Sequence, residues 1–363
     1  MLGRLLSVSL LAVAWSSASR FQGPTSRSTP SGDSSCLAAL DSLQALFRHD
    51  YPGYRDKVRR HEKQLAALSD SVRAVAGTSD EHQICIPALQ RWARFFRDPH
   101  IAGPWQASPP AAQATGAGTG QQTEARNDDP NRPSVEFLDD FTAAIRLPSF
   151  DAMYKAAVDS LIAEHRARLG AIPLLIIDVR GNGGGYTGTY AAVSPFVYTG
   201  PIRTRGVDVW ASPANIAHYR ELSRAAFLSD AEHRLMRSFL SRAANQVNRF
   251  VQLEPDTIIR RDSVFPMPRR VAVLADSACA SSCEDFLLEV GQSSKVTLMG
   301  THSAGVHDYG EVRGVWLPGW RRVVLPTNRT RGPRIDNLGI APEIQIPPDS
   351  DAFAIARRYL ESR

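Results

Sequence analysis

Residues 273 to 287 read VLADSACASSCEDFL: an aliphatic run of strand character, then small residues crowded with Ser and Cys, then the start of a helix. Serine and alanine are common at helix N-termini because the hydroxyl caps free amide donors, and cysteine is often a small buried hydrophobe. On this stretch alone, capping is a sufficient explanation. A strand-to-helix junction can also present a nucleophilic serine together with the amide that follows it, so the decision rests on what else the chain carries.

A second junction of the same kind lies upstream. PLLIIDVRGNGGGY, residues 173 to 186, runs a continuous aliphatic strand into a loop holding Gly181, Gly183, Gly184 and Gly185. Glycines at a strand end permit positive φ and let backbone amides approach a ligand closely. The spacing is neither that of a Walker loop nor that of a dinucleotide fingerprint, and a tight turn is the plain structural explanation. Joined to the first stretch it says more. Amides from Gly183 or Gly184, with a serine and its following amide, are what acyl transfer needs where charge develops on a carbonyl oxygen.

With 363 residues, 43% hydrophobic and 22% charged, the chain can bury one large core or two modest ones and lacks the composition of a disordered or fibrous protein. Its net charge of +5 comes from arginines interleaved with Asp and Glu, which argues against nucleic acid as a partner. Lysine is confined to Lys57, Lys63, Lys155 and Lys295. The opening MLGRLLSVSLLAVAWSSA, residues 1–18, joins a single Arg4 to an apolar stretch and ends on small residues, the layout of a cleavable signal peptide. Its apolar part is too short for a membrane anchor. The expectation is an exported protein, periplasmic or extracellular, with no stable anchor after cleavage.

Export permits disulfides, and Cys36, Cys85, Cys279 and Cys283 allow three pairings. Cys36 and Cys85 fall in one helical region that a bridge would staple. A bridge from Cys279 to Cys283 would be awkward inside a continuous helix. No histidine stands at ligand spacing from either pair, so no metal is expected.

After a linker over 19–34, leucines at helical spacing (Leu37, Leu40, Leu43, Leu46) predict a small N-terminal helical domain over 35–106. A flexible low-complexity loop, rich in Gly, Gln, Thr and Asp, covers 107–133. The remainder, 134–363, alternates strands (142–147, 173–179, 271–275, 296–299) with helices (150–169, 186–194, 214–247, 281–290). That alternation predicts an α/β core.

IIDVRGNGGG, CASSCEDF, VTLMGTHSAG and DNLGIAPEI occur in an order and spacing that resemble the C-terminal-processing, or tail-specific, serine peptidases and their relatives in the tricorn core. The resemblance spans residues 134 to 346. It implies a ClpP/crotonase-like α/β core and a nucleophile third in a Ser-Ala-Ser-Ala-Ser-Glu segment, which falls here on Cys279 to Glu284 and points to Ser281. Two departures matter. Val306 stands where the tail-specific branch carries its lysine base, Lys295 lies too early, and there is no room for the family's PDZ domain. The tricorn-like branch takes a histidine from an earlier segment instead. RFFRDPHIAG, residues 94 to 103, resembles that segment with Asp98 and His100, and the acidic partner falls on Asp336 in RIDNLGIAPEI, residues 334 to 344.

The implied triad has Asp336 fixing the tautomer of His100 and His100 taking the proton of Ser281, with the amides of Gly184 (or its neighbour Gly183) and Ser282 as the oxyanion hole. His302 and His307 are alternative bases near the missing lysine. Asp98 reads as structural and Glu284 as capping or orienting the nucleophile helix. Trp92, Phe95, Phe96, Trp105 and Trp210 are candidates to line a cleft, although core packing explains them equally well. The function expected is an exported serine peptidase, acting without cofactor through an acyl-enzyme on peptide or protein substrates. Its rivals are an inactive ligand- or protein-binding relative, which the missing lysine would suit, and a serine esterase using the same site.

Overall fold

The computed structural model describes residues 35–101, 129–319 and 321–362. The signal-peptide and linker readings, most of the low-complexity loop and Trp105 lie outside the described residues.

Four helices come first: Cys36–Asp50 (α1), Tyr54–Val58 (α2), Glu62–Ala76 (α3) and His82–Ala93 (α4). Ser35 caps α1 by accepting from Ala38 N, and Cys36, Ala39, Leu40, Leu43 and Phe47 form its buried stripe, the spacing of a helix with one apolar face. A Cys36–Cys85 disulfide ties α1 to α4. Next come Ser134–Phe137 (β1), Thr142–Arg146 (β2), Lys155–Leu169 (α5), Leu174–Asp178 (β3), Ser194–Val197 (α6), Ile202–Thr204 (β4) and Val207–Trp210 (β5). Pro213–Leu222 (α7), Asp230–Ala243 (α8), Phe250–Glu254 (β6), Thr257–Ile259 (β7), Arg270–Ala275 (β8), Ser282–Val290 (α9) and Val296–Gly300 (β9) follow. Tyr309–Leu317 (β10), Arg321–Thr330 (β11), Ile344–Gln345 (β12) and Ala352–Glu361 (α10) complete the order.

The main sheet runs β1-β2-β3-β8-β9-β12, parallel except for the antiparallel edge strand β1. Its strands are continuous aliphatic runs because both faces are covered. Leu175, Ile177, Val271 and Val273 pack with Val158 and Ile162 of α5 and Phe286 and Val290 of α9, while Ile176, Ala272 and Leu274 face Ala352, Ala356 and Leu360 of α10. A second, antiparallel sheet of order β10-β11-β5-β6 buries Val209, Val251 and Leu253 against Tyr219, Met236 and Phe239 of α7 and α8. Its β10–β11 hairpin gives Tyr309, Leu317, Val323 and Leu325 to the same core as α1, α3 and α4.

Two expected helices need correction. Residues 186–194 form a 3-10 turn over Thr187–Tyr190 before α6, in keeping with β-branched threonines beside Gly188. The stretch 214–247 is two helices, because Ser229 and Glu232 form a capping box that starts α8 afresh. The second sheet was not expected at all. Among the described residues, no helix is long and apolar enough to cross a membrane.

Candidate active site

Strands β3 and β8 are parallel neighbours with Asp178 opposite Leu274, so the loops that leave their carboxyl ends emerge side by side, where open α/β sheets bind ligands. One is the glycine loop and the other the turn at Ser281. Asn182 joins them: its carbonyl accepts from Ala280 N at 3.2 Å, its Nδ2 donates to Leu147 O at 2.8 Å, and its Oδ1 accepts from Gly184 N at 2.8 Å. The Gly184 amide is therefore already engaged. Gly185 bridges Phe150 so closely that a Cβ there would lie 2.2 Å from the Phe150 carbonyl carbon.

Ser281 precedes α9 at φ 58°, ψ −121°, a left-handed conformation that costs a non-glycine residue of the order of 1–3 kcal/mol and persists only when its surroundings over-determine it. They do. Ser281 N donates to Val306 O at 3.0 Å, and Ala304 N to Cys279 O at 2.9 Å. A Cys279–Cys283 disulfide straddles the serine with Cα atoms 5.3 Å apart. The geometry is permitted because Cys279 lies in the turn, outside the helix that begins at Ser282. Glu284, fully buried, accepts from Ser281 N at 3.3 Å, Ser303 Oγ at 2.6 Å, and Gly305 N and Val306 N at 2.8 Å each.

Ser281, His100 and His307 line one cleft, together with Thr187, Arg203, Asp285 and Leu288. Ser281 is 5% exposed and His100 7%. The turn carrying His100 is pinned by Asp98, whose Oδ1 accepts from His100 N at 3.0 Å and whose Oδ2 accepts from the Tyr51 hydroxyl at 2.6 Å. Asp336 Oδ1 accepts from the backbone N–H groups of His307 and Asp308 at 2.9 and 2.8 Å. His100 Nδ1 and Asp336 Oδ2 are both buried without a hydrogen-bond partner among the described residues.

Charge divides the two cleft histidines. Burial drives His100 down to about 4, against the attraction of Asp336 and helped by the positive His307, so its ring is neutral near pH 7. Burial also pulls His307 down, but the Asp285 carboxylate, with Nε2 to Oδ1 at 2.8 Å, overrides it with help from Glu284 and Asp308 and holds the ring protonated up to about 9. The carboxyls of Asp98 and Asp336 are both pushed up, first by burial; the like charge of Asp98 adds to the rise at Asp336.

His302 is exposed and does not line the cleft. Trp92 and Phe96 stack in the aromatic cluster with Phe47, and Trp210 packs on Phe250; these rings serve packing. A second cavity, of about 500 Å³, opens between Phe141, Arg269 and Leu360. It sits at the amino ends of β2, β3 and β8, away from every candidate residue. Tyr51 and Asp285 had no distinctive sequence signal, since each acquires its role only through a contact across the fold; His307 stood out only as a possible base.

A serine held in a strained turn after a parallel strand, sharing its cleft with a neutral buried imidazole, belongs to the serine-type hydrolases. Residues 142–346 match the model of peptidase family S41. The chain belongs to that family, the tail-specific peptidases that its motifs resemble, and is a serine-type peptidase, with peptides or proteins as its substrate class. The match contains Ser281 and Asp336 and begins after His100. Among solved structures, mature CPAF complexed with lactacystin is 14% identical with a TM-score of 0.61, covering 90% of this chain and 97% of that one. A putative peptidase from Parabacteroides merdae is 12% identical with a TM-score of 0.52, covering 91% and 95%. A lipoprotein from Streptococcus agalactiae is 14% identical with a TM-score of 0.51, covering 91% and 97%. At such identities the likeness is one of fold. A search of curated proteins found no match.

Proposed function

We propose that this peptidase works through an acyl-enzyme on Ser281, with His100 as general base and Asp336 as the carboxylate that orients it, and that it acts after export. The observation that carries the reading is the pair of orphaned buried atoms, His100 Nδ1 and Asp336 Oδ2. The Asp336 carboxylate attracts the protonated form of His100, while Asp98, whose Oδ1 lies 3.8 Å from Nδ1, is engaged by the His100 backbone N–H and the Tyr51 hydroxyl; catalytic hydrogen bonds are often long until substrate tightens them. His307 is the poorer base because Asp285 keeps it protonated, and His302 because it is exposed away from the cleft.

In the reaction, His100 Nε2 takes the hydroxyl proton as Ser281 Oγ attacks the scissile carbonyl. The imidazolium faces Asp336, and returns the proton to the leaving amine; water then repeats the cycle on the ester. Since Gly184 N is engaged by Asn182, the amides of Gly183 and Ser282 are the better donors for the oxyanion. Export is supported by the residues 1–18 pattern and by two disulfides.

The test is labelling of the protein lacking residues 1–18 with a fluorophosphonate, read by intact mass, beside Ser281→Ala, His100→Ala and Asp336→Asn. We expect one adduct on the parent chain, none on Ser281→Ala and slow labelling of the other two. A folded parent chain that takes no adduct would overturn the reading in favour of an inactive binding relative.

A further inference from the structure

Asp98 and Asp336 present a difficulty for the site as proposed. Burial favours the protonated form of both carboxyls, and the charge of Asp98 adds to that at Asp336, yet Asp336 orients an imidazolium only as an anion. Asp336 receives two backbone N–H groups on Oδ1, while Oδ2 has no hydrogen bond among the described residues.

The charged groups around this pair come from several elements. Tyr51, at the end of α1, donates to Asp98. The segment into β10 contributes His307, paired with Asp285, together with Asp308 and Tyr309. Arg334 lies 3.8 Å from Asp308 and 3.6 Å from Asp56. From α2 comes Lys57. Its ammonium lies 3.9 Å from Asp336 Oδ2, donates to Arg97 O at 3.4 Å and stands 4.9 Å from the centroid of the Tyr309 ring. His307 and Arg334 already have carboxylate partners; among the described residues, Lys57 is the cation directed at the pair.

We propose that Lys57 is a positioning residue of the active site, the counter-charge that holds the Asp98 and Asp336 pair in the ionised state in which Asp336 orients His100. The inference rests on the reading of His100 as base and Asp336 as its partner. Lys57 reaches no reacting atom and acts through the carboxyls. Its ammonium favours Asp98 as an anion in the same way, so it serves the pair and not one member of it. The lysine lies outside the residues that match the family, and the front helices thereby supply electrostatics as well as the imidazole.

Without the ammonium, the pair retains a proton to higher pH, His100 loses its anionic partner there, and the acid limb of activity moves upward. The experiment is the rate of fluorophosphonate labelling of Ser281 between pH 5 and 9 for the parent chain, Lys57→Met, Lys57→Gln, Lys57→Arg and His100→Ala, each checked for folding by circular dichroism. For Lys57→Met we expect the acid limb to move up by about one pH unit, which is about a tenfold loss at pH 5 and about fivefold at pH 6, with recovery above pH 8. Lys57→Gln gives the same shift if the methionine variant does not fold, and Lys57→Arg follows the parent curve. A folded Met or Gln variant whose profile superimposes on the parent, or is lowered equally at every pH, overturns the proposal. If His100→Ala labels slowly in that case, the base assignment survives and only Lys57 falls; if His100→Ala labels at the parent rate, both fall.

Discussion

The carboxylate of Glu284 accepts the Ser303 hydroxyl at 2.6 Å while also receiving the backbone N–H of Ser281, so one buried side chain fastens the turn at the candidate nucleophile to the loop after β9. Burial raises this carboxyl, and the donors from Ser303, Val306 and Gly305 pull it back. Glu284→Gln would set an amide N–H₂ where the Ser303 hydroxyl and the N–H groups of Ser281, Gly305 and Val306 all donate to the carboxylate. We expect a loss of about 1–3 kcal/mol in stability and slower fluorophosphonate labelling. Urea unfolding checks the first, and a variant as stable as the parent chain would show that the loop is held by other means.

The Asp285–His307 pair makes a prediction about pH. His307 is held protonated in the fold to about 9, against about 6.5 in the unfolded chain. Its contribution is therefore fully present below pH 6.5, declines as pH rises and is gone above about 9. Replacing His307 by Gln should cost about 1–2 kcal/mol at pH 6, allowing for the partial exposure of Asp285, and almost nothing at pH 9.5. A pH-independent difference would mean that packing, not charge, is what His307 supplies.

The two disulfides should separate stability from activity. Removing Cys36 and Cys85 together opens a loop of 49 residues and is expected to cost about 2–4 kcal/mol, with labelling of the folded protein little changed. Removing Cys279 and Cys283 opens a loop of only four residues and should cost less stability. Its main effect falls on the strained turn, slowing labelling of Ser281 by about tenfold or more. Equal labelling rates in the two double variants would show that the bridge around the serine is not needed to hold it.

Gly185→Ala is expected to be worse than either. The added Cβ would meet the Phe150 carbonyl carbon at 2.2 Å, at a φ of 142° that disfavours side chains, and the neighbour is backbone with little freedom to yield. A loss of about 3 kcal/mol or more, or failure to express folded, is the expected outcome in a thermal melt.

What the sequence made legible follows from how local each signal was. Strands β3 and β8 were readable because burial on both faces leaves an unbroken aliphatic run, and the glycine loop and Ser281 turn because each is a contiguous motif. The β10–β11 hairpin was not. Tyr309–Leu317 mixes Gly310, Glu311, Arg313 and Gly314 with apolar residues, and Glu311 and Arg313 pair with His218 and Asn215 of α7, so no apolar period stands out. Strands β4 and β5 are three and four residues long, too short for a periodic signal. Lys57 and Tyr51 read as ordinary helix residues. Only the approach of α1 and α2 to Asp98 and Asp336 gives them a part in the site.

The front helices share one apolar core with β10 and β11, and that has a consequence for how the protein can be divided. Cutting the chain where the family match begins would remove His100, Asp98 and Lys57 and also strip the cover from Leu317, Val323 and Leu325. On the proposed roles of His100, Asp98 and Lys57, the smallest working unit is larger than the part that matches the family. Grafting a different front segment onto this core would have to reproduce a buried surface and a charge arrangement simultaneously, so the two halves are constrained to change together.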